Sequence, residues 1–269
     1  MKKISLVLLL VLSLGLYSCS GNKENTITVA ASPKPHAEIL EYAKPLLKEK
    51  GYTLVVKPYN DYIMPNKALT LKQVDANFFQ HEPYLNQYNA DNKTNIVSIA
   101  KIHIEPIGIY SKKYSSLAEV ENNAVVFISS SKSDHGRLLN LLVNANLITL
   151  KAGINPFQAT LNDIAENPKN LQIRADIDPT SLVDAYKYNQ ADLILINSNF
   201  ALDANINPGT EAIALERPND NPFANIIATL PEYEDSPKIK ALVDVLTSPA
   251  ISEWILNKWN GDIVPFVEE

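Results

Sequence analysis

Hydrophobic and polar positions along this chain follow two alternating patterns, one typical of strands and one typical of helices. Ile27 to Ala30 is an apolar run that predicts a buried strand, and the spacing from about Ala37 to Glu49 predicts a helix. Thr53 to Lys57 predicts the second strand. Near the C-terminus, helices are predicted over about Pro237 to Leu246 and Pro249 to Lys258. Repeated strand-to-helix alternation predicts an α/β fold with parallel sheets covered on both faces.

The remaining elements fall into two blocks that meet near Ser111. Residues 129–134 are predicted as a polar loop. Helices are predicted at about residues 65–73, 83–89, 135–147 and 179–189. Strands or extended segments are predicted at residues 74–79, 96–104, 107–110, 124–128, 171–174, 192–196, 212–215 and 223–229. A chain of 269 residues with this order of elements allows one large or two modest α/β domains.

The stretch from Asp75 to Leu85 contains two adjacent aromatics, a histidine and a proline suited to the first turn of a helix. Phe79, Gln80 and His81 are therefore predicted on a strand-to-helix turn. Ligands of open α/β sheets bind at the carboxyl ends of strands, so this turn is a candidate pocket wall. The alternative is that Phe79 belongs to the core and His81 is an ordinary hydrogen-bonded side chain.

The N-terminus has the features of a secretion signal. The apolar run from Ile4 to Leu16 follows two lysines and is too short to span a membrane, so residues 1–18 are predicted to be a cleaved signal peptide. Leu16 to Cys19 resembles the bacterial lipobox, in which the cysteine is lipidated and becomes the first mature residue. Residues 19–25 are predicted to be a short tether. Cys19 is the only cysteine, which excludes an intramolecular disulfide.

The charge balance is acidic. The chain has a formal charge of −6, and the removal of Lys2 and Lys3 with the signal peptide makes the mature charge −8. Basic residues are scattered along the chain and form no cluster. An acidic chain without a basic patch argues against nucleic acid as a partner.

Six motifs stand out along the mature chain. They are Ser32 to Leu40, Asp61 to Leu69, Asp75 to Leu85, His103 to Ser111, Ile196 to Ala201 and Asn221 to Ile227. In sequence and in order they resemble the NlpA/MetQ family of methionine-binding lipoproteins, and the resemblance covers essentially the whole mature chain.

The resemblance implies a periplasmic-binding-protein fold, in which two α/β lobes joined by crossing strands enclose a ligand cleft. Residues 26–111 and 217–269 would form lobe I, and residues 112–216 would form lobe II. The implied function is capture of methionine, as the L- or D-form or as a short methionine peptide, for an ABC importer made of a permease and an ATPase. The implied location is a bacterial membrane, inner or outer, with the protein on the periplasmic or extracellular face.

The resemblance also implies which residues bind the ligand. Tyr62 and Phe79 match the family's aromatic pocket, which would contact the thioether, because sulfur against aromatic rings contributes about 0.3–1.5 kcal/mol. Arg137 matches the family's carboxylate-binding arginine, whose planar guanidinium can form two parallel bonds. His81 is expected to assist Arg137.

Asn197 and Asn225 match the family's two asparagines, and their amide oxygens are expected to accept from the ligand ammonium. Two segments depart from the family pattern. Asp176 to Ser181 lacks the usual Leu-Pro-Arg before Ser-Leu, and residues 129–137 lack the usual run before the glycine and arginine. Asp134 stands where the family usually has an asparagine, three residues before Arg137. Its carboxylate either compensates the charge of Arg137 or favours a ligand ammonium.

Three other classes of protein are open to test. An enzyme would need a nucleophile, a base or a cofactor motif, and Gly-x-Ser-x-Gly, His-Glu-x-x-His and phosphate-cradling loops are absent from the sequence. We therefore expect no enzymatic activity and no cofactor. A surface lipoprotein without a transport role would bind no small molecule. A metal-binding solute receptor would use imidazole and carboxylate ligands, for which the candidates are His36, His81, His103, His135 and Glu105.

The lipobox interpretation predicts that Cys19→Ala abolishes lipid attachment. The variant should neither incorporate labelled fatty acid nor partition into detergent, because stable anchoring requires the acyl chains that lipobox processing supplies. Metabolic labelling of the wild type and the variant measures this directly. Fatty-acid labelling of the variant would contradict the interpretation.

Overall fold

The computed structural model describes residues 23–218 and 221–267. The predicted signal peptide and Cys19 lie outside these residues. The strands are β1 (Thr26–Ala31), β2 (Thr53–Pro58), β3 (Ala76–His81), β4 (Val97–Ile104), β5 (Gly108–Tyr110), β6 (Val125–Ser129), β7 (Thr149–Leu150), β8 (Ile164–Glu166), β9 (Gln172–Ile177), β10 (Leu193–Ile196), β11 (Ala214–Leu215), β12 (Asn225–Thr229) and β13 (Val264–Pro265).

The α-helices are α1 (Glu38–Glu49), α2 (Met64–Thr70), α3 (Glu82–Asn92), α4 (Lys132–Asn144), α5 (Leu182–Lys187), α6 (Ser198–Asp203), α7 (Pro208–Glu211), α8 (Pro231–Glu234), α9 (Pro237–Leu246) and α10 (Pro249–Trp259). None of the helices within the described ranges is both long and apolar enough to cross a membrane.

The strands form two main sheets, and each sheet is the centre of one lobe. The first has the order β13-β4-β12-β3-β1-β2, and the second has the order β11-β5-β10-β6-β9. A separate two-stranded ribbon joins β7 to β8. The α/β class and the two-lobe architecture are confirmed.

The sheets are mixed, so the prediction of parallel sheets is wrong in part. β1 pairs in parallel with β2 and β3, but β12 runs antiparallel to β3 and β4. In the second sheet β10 is parallel to β6 and antiparallel to β5. β5 and β12 directly follow the two crossings between the lobes and run opposite to their neighbours, because the chain enters each sheet from the opposite end. β13, near the C-terminus, also runs antiparallel to β4.

Two segments cross between the sheets. The first joins β4 to β5 through Glu105 and Pro106, and the second joins β11 to β12. Because β5 pairs with β10 and β11, residues 108–110 are part of the second sheet, although the sequence analysis grouped them with lobe I. Proline has no N–H to offer a sheet, so strand pairing is interrupted at Pro106 and the chain can change sheets there.

Each lobe has its own apolar core. In the first lobe α1 buries Ile39, Leu40, Ala43 and Leu47, which share one helix face and pack with α9 and α10 against the sheet. In the second lobe the buried side of α4 packs on β6. Each lobe is therefore packed around its own core, and residues where the two lobes face each other are not needed for either core and can form a site.

Four local predictions need correction. β3 continues through His81 and α3 starts at Glu82, so Phe79, Gln80 and His81 lie on a strand and not on a turn. The imidazole makes this junction possible, because His81 Nδ1 accepts from the backbone N–H of Tyr84 at 3.2 Å and caps the helix. α4 begins at Lys132, three residues before the predicted start, because serine and aspartate favour helix N-termini as well as loops.

The third correction concerns residues 197–203. The sequence pattern predicts no helix here, but residues 198–203 form α6. The predicted helix at 179–189 is also shorter, because a 3₁₀ turn occupies Pro179–Ser181 and α5 ends at Lys187. Serine and asparagine are weak helix formers, which explains why their pattern did not indicate α6.

The packing of α4 generates a stability prediction. A Cβ added at Gly136 would lie 2.2 Å from the backbone oxygen of Phe157, so α4 can approach this segment only without a side chain. Gly136→Ala should lower stability by about 1–3 kcal/mol through overpacking, although alanine is the better helix former by about 1 kcal/mol. Thermal unfolding of the variant measures the loss. Asn144→Ala, on the exposed end of the same helix, is the control, and equal melting temperatures for the two variants would contradict the packing argument.

Candidate functional site

A cavity lies between the two lobes, at the carboxyl end of β3. It contains all six residues that the sequence analysis assigned to the ligand, which are Tyr62, Phe79, His81, Arg137, Asn197 and Asn225. It is also lined by residues that the sequence did not single out for the ligand, which are Gln80, Tyr84, Glu105, Ser198 and Asn199. Of these, Tyr84 could have been identified from the sequence, because it lies only three residues after His81 in the same motif.

One wall of the cavity is aromatic. The ring centroids of Tyr62 and Phe79 are 6.2 Å apart, and Tyr84 lies 5.8 Å from Tyr62 and 5.9 Å from Phe79. The hydroxyl of Tyr84 donates to the backbone oxygen of Tyr62 at 2.9 Å, which fixes the loop before α2 against α3. Three rings in this arrangement offer a soft, polarizable surface to an apolar side chain or a thioether.

Tyr62 also connects the lobes. Its hydroxyl donates to Asn199 Oδ1 at 2.7 Å, and its ring lies 4.9 Å from that of Phe200, with both partners on α6 of the second lobe. Burial raises the pKa of Tyr62 well above its ordinary value, and the nearby Asp134 carboxylate adds to the rise. The hydroxyl therefore stays protonated and acts as a donor across the cavity.

Arg137 uses its guanidinium fork within the protein. Nε donates to Glu216 Oε1 at 3.2 Å and Nη2 donates to Glu216 Oε2, so the two parallel bonds expected for a ligand carboxylate are made with Glu216. Nη2 also donates to the backbone oxygen of Glu105 at 2.9 Å. Only Nη1 is left for a ligand, since it makes no hydrogen bond to any of the described residues and lies 3.9 Å from Asp134 Oδ1.

Asp134 lies behind the cavity wall and is 1% exposed. Its Oδ1 is 2.8 Å from His81 Nε2, and its Oδ2 accepts from Asn197 Nδ2 at 3.4 Å. Burial acts to raise the pKa of Asp134, but His81 and Arg137 outweigh it and hold that pKa below its ordinary value. The group is therefore a carboxylate, which can only accept hydrogen bonds.

Both nitrogens of His81 are occupied by protein partners. Nδ1 accepts from the backbone of Tyr84, so the ring hydrogen must be on Nε2, where it is donated to Asp134. His81 lines the cavity with its ring but has no N–H left for a ligand carboxylate. The expected assistance to Arg137 is therefore absent from this arrangement.

The two asparagines present different groups. Asn197 donates its Nδ2 to Asp134, and its Oδ1 is buried without a hydrogen-bond partner in the described part of the chain. This oxygen is the acceptor expected for a ligand ammonium. Asn225 Oδ1 lies 3.1 Å from His36 Nε2, so its oxygen is engaged and its Nδ2 is the group left over. Asn225 thus suits a carboxylate oxygen better than the ammonium predicted for it.

A second buried cluster lies behind Glu105. His36 Nε2 and His103 Nε2 approach the same oxygen, Glu105 Oε1, at 3.1 and 2.7 Å. Burial lowers the pKa of His36 to about 4 and that of His103 to about 3, while burial raises the pKa of Glu105. The histidines are neutral at physiological pH. His103 Nε2–H donates to Glu105 Oε1 at the edge of the cavity, whereas His36 Nε2 has Asn225 Oδ1 as its hydrogen-bond partner and lies 3.1 Å from Glu105 Oε1.

The metal-site alternative is supported in part by this cluster. His36, His103 and Glu105 place one ligand atom each within 4.8 Å of one another. The other two candidates are elsewhere, because His81 pairs with Asp134 and His135 Nε2 bonds the backbone oxygen of Ser129 at 3.0 Å. The structure therefore brings together three of the five predicted metal ligands.

Two lobes, two crossing segments and a lined cavity between them define the chain as a substrate-binding protein of the two-lobe class. The family model described as NlpA lipoprotein matches residues 27–267, and the chain belongs to this family.

Individual relatives agree with this assignment. The Methionine-binding lipoprotein MetQ of Bacillus subtilis is 44% identical over 275 residues, which covers 100% of both chains. A crystal structure of a Bacillus subtilis lipoprotein is 46% identical, covers 91% of this chain and 100% of that chain, and has a TM-score of 0.89. The structure of a nutrient binding protein from Burkholderia cenocepacia bound to methionine is 37% identical, covers 90% of this chain and 100% of that chain, and has a TM-score of 0.83.

The two buried histidines predict how stability depends on pH. In the unfolded chain they bind protons below about pH 6.5, whereas the folded protein resists protonation down to about pH 4 and 3. The contribution of these histidines to the free energy of unfolding should therefore be constant above pH 6.5. As the pH decreases from 6.5 towards 4, the free energy of unfolding should fall by several kcal/mol, at about 1.4 kcal/mol per unit of pKa shift.

Urea unfolding of the wild type and of His103→Gln at a series of pH values measures this dependence. The variant should show a shallower decrease below pH 6.5. Phe78→Leu is the control, because its ring packs 4.6 Å from His36 and its loss destabilises the core without removing a titrating group. A wild-type stability that stays level from pH 6.5 to 4 would contradict the assignment of neutral, buried histidines.

Proposed function

We propose that this protein is a lipid-anchored receptor that captures methionine between its lobes and delivers it to an ABC importer. The observation that carries the proposal is the cavity, which combines an aromatic wall with separate donor and acceptor groups. The names of the relatives support methionine as the ligand. The lipobox resemblance supports Cys19 as the anchor, and the family resemblance supports a permease and an ATPase as partners.

The proposed binding mode follows from the groups that remain free. The thioether lies against Tyr62, Phe79 and Tyr84, where sulfur and aromatic rings attract. The ammonium lies at Asn197 Oδ1, near the Glu105 carboxylate. The carboxylate of the ligand meets Arg137 Nη1 and Asn225 Nδ2, which are charged and neutral donors respectively.

We also propose that the lobes move as units. Lobe I comprises residues 26–104 with the chain after 216, and lobe II comprises the segment between the two crossings, with the first boundary placed before β5. Contacts across the cavity, such as Tyr62 to Asn199, would form on closure around the ligand and break on its release. The protein is proposed to bind its ligand without converting it chemically, which the relatives' names, as binding proteins, support.

Binding of a metal ion is the second candidate function, favoured by the convergence of His36, His103 and Glu105. It differs from methionine binding in its ligand and its residues. Each idea therefore predicts a different stabilising additive.

Methionine is expected to raise the melting temperature, because a ligand that binds only the folded state stabilises it by about 2.7 kcal/mol at a hundredfold excess over its dissociation constant. Differential scanning fluorimetry with L-methionine, D-methionine, L-leucine, Zn²⁺ and Mn²⁺ tests this. Methionine should give a shift, and leucine, which lacks the thioether, a smaller one. A shift with a metal ion and none with methionine would favour the second candidate and contradict the proposal.

Tyr62→Phe is expected to weaken methionine binding by roughly three- to tenfold, since it removes one hydrogen bond between the lobes and keeps the ring. Calorimetry gives the affinity, and small-angle scattering shows whether the ligand still compacts the protein. Tyr188→Phe is the control, because this tyrosine is 74% exposed. If Tyr62→Phe binds and compacts as the wild type does, the contact with Asn199 does not contribute to closure.

A further inference from the structure

The position of Asp134 determines the orientation of two groups in the cavity wall. A carboxylate has no hydrogen to donate, so both of its neighbours must turn a donor towards it. His81 turns Nε2–H towards Oδ1, and Asn197 turns its NH₂ group towards Oδ2. The remaining polar atom of each side chain, Nδ1 of His81 and Oδ1 of Asn197, is therefore a hydrogen-bond acceptor.

Only one of these two acceptors has a partner within the described part of the protein. His81 Nδ1 accepts from the backbone N–H of Tyr84. Asn197 Oδ1 has no partner among the described residues, although the residue is only 7% exposed and lines the cavity. An unpaired acceptor buried to this extent is unfavourable unless something donates to it. The ligand is the available donor.

The charges around the cavity also favour a positively charged group of the ligand. The carboxylates of Glu105, Asp134 and Glu216 surround a single guanidinium, that of Arg137. The fork of Arg137 is already used by Glu216, so a ligand carboxylate receives one corner of it at most. A positive group entering this site is better compensated than a negative one.

We propose that Asp134 is a positioning residue that makes the cavity selective for the ammonium end of its ligand, so that the substrate class is a primary ammonium with a methionine-like side chain whose carboxyl end need not be charged. This rests on the proposed function, because it concerns the same cavity. An asparagine at position 134 would donate as readily as it accepts. Asn197 could then rotate and present its NH₂ group to the ligand, and the selectivity would be lost.

Two analogues of methionine separate the ends of the ligand. Methionine amide keeps the thioether and the ammonium, and N-acetylmethionine keeps the thioether and the carboxylate. In the wild type, calorimetry should show the amide binding within about tenfold of L-methionine and N-acetylmethionine binding at least about a hundredfold more weakly than the amide.

In Asp134→Asn, the ratio of the dissociation constant of N-acetylmethionine to that of methionine amide, called the gap below, should shrink at least about tenfold. A purely structural role would weaken both analogues equally and leave the gap unchanged. Asp176→Asn is the matched control, because it removes the same charge from an exposed aspartate that pairs with Arg174 in the same lobe. A gap that is unchanged in Asp134→Asn, or a wild type that binds both analogues equally, would overturn the inference.

Nitrogen-15 NMR of the wild-type histidines supplies a test that needs no folded variant. His81 should show the tautomer protonated at Nε2, with Nδ1 free of hydrogen. The opposite tautomer would overturn the role of Asp134. Failure of the proposed function is distinct from both results, because the wild type would then bind neither L-methionine nor the amide.

Discussion

The arrangement of this protein depends on one buried guanidinium. Arg137 donates to Glu216 on the second crossing segment and to the backbone of Glu105 on the first, so α4 of the second lobe is fixed to both connections between the lobes. Its charged plane also lies 4.7 Å from the ring of Phe223, which precedes β12. A buried arginine without partners would be strongly unfavourable, and removal of Glu216 would take away the carboxylate that pairs with two of its nitrogens. The hinge and the binding cavity therefore share one electrostatic support.

The pairing of Arg137 with Glu216 explains why the guanidinium is not free to form two parallel bonds with a ligand carboxylate. Glu216 occupies the bidentate face of Arg137 and also accepts from the backbone N–H of Ile107 at 3.2 Å, so it joins the two crossing segments. A ligand carboxylate that took the whole fork would have to displace this carboxylate and loosen the hinge. In the proposed binding mode the ligand ammonium therefore carries more of the recognition, with Nη1 of Arg137 and the amide of Asn225 as secondary donors.

Much of the fold could be predicted from the sequence because helix and strand periods depend on local patterns. β1, β2, α9 and α10 follow their predicted ranges closely for this reason. The placement of β5 in the second sheet could not be predicted, since it depends on pairing with β10 more than 80 residues later. The same limit applies to the site. The six ligand residues were identified through a family resemblance, but the partners of Arg137 and Asn225 are distant in sequence, at Glu216 and His36, and no spacing rule connects them.

A crystal structure of the protein grown with L-methionine tests the central claim most directly. The account predicts the ligand sulfur among Tyr62, Phe79 and Tyr84, the ammonium about 3 Å from Asn197 Oδ1, and Arg137 still paired through Nε and Nη2 with Glu216. It would be contradicted by a ligand carboxylate that occupies both of those nitrogens with Glu216 displaced, or by methionine bound outside the cavity.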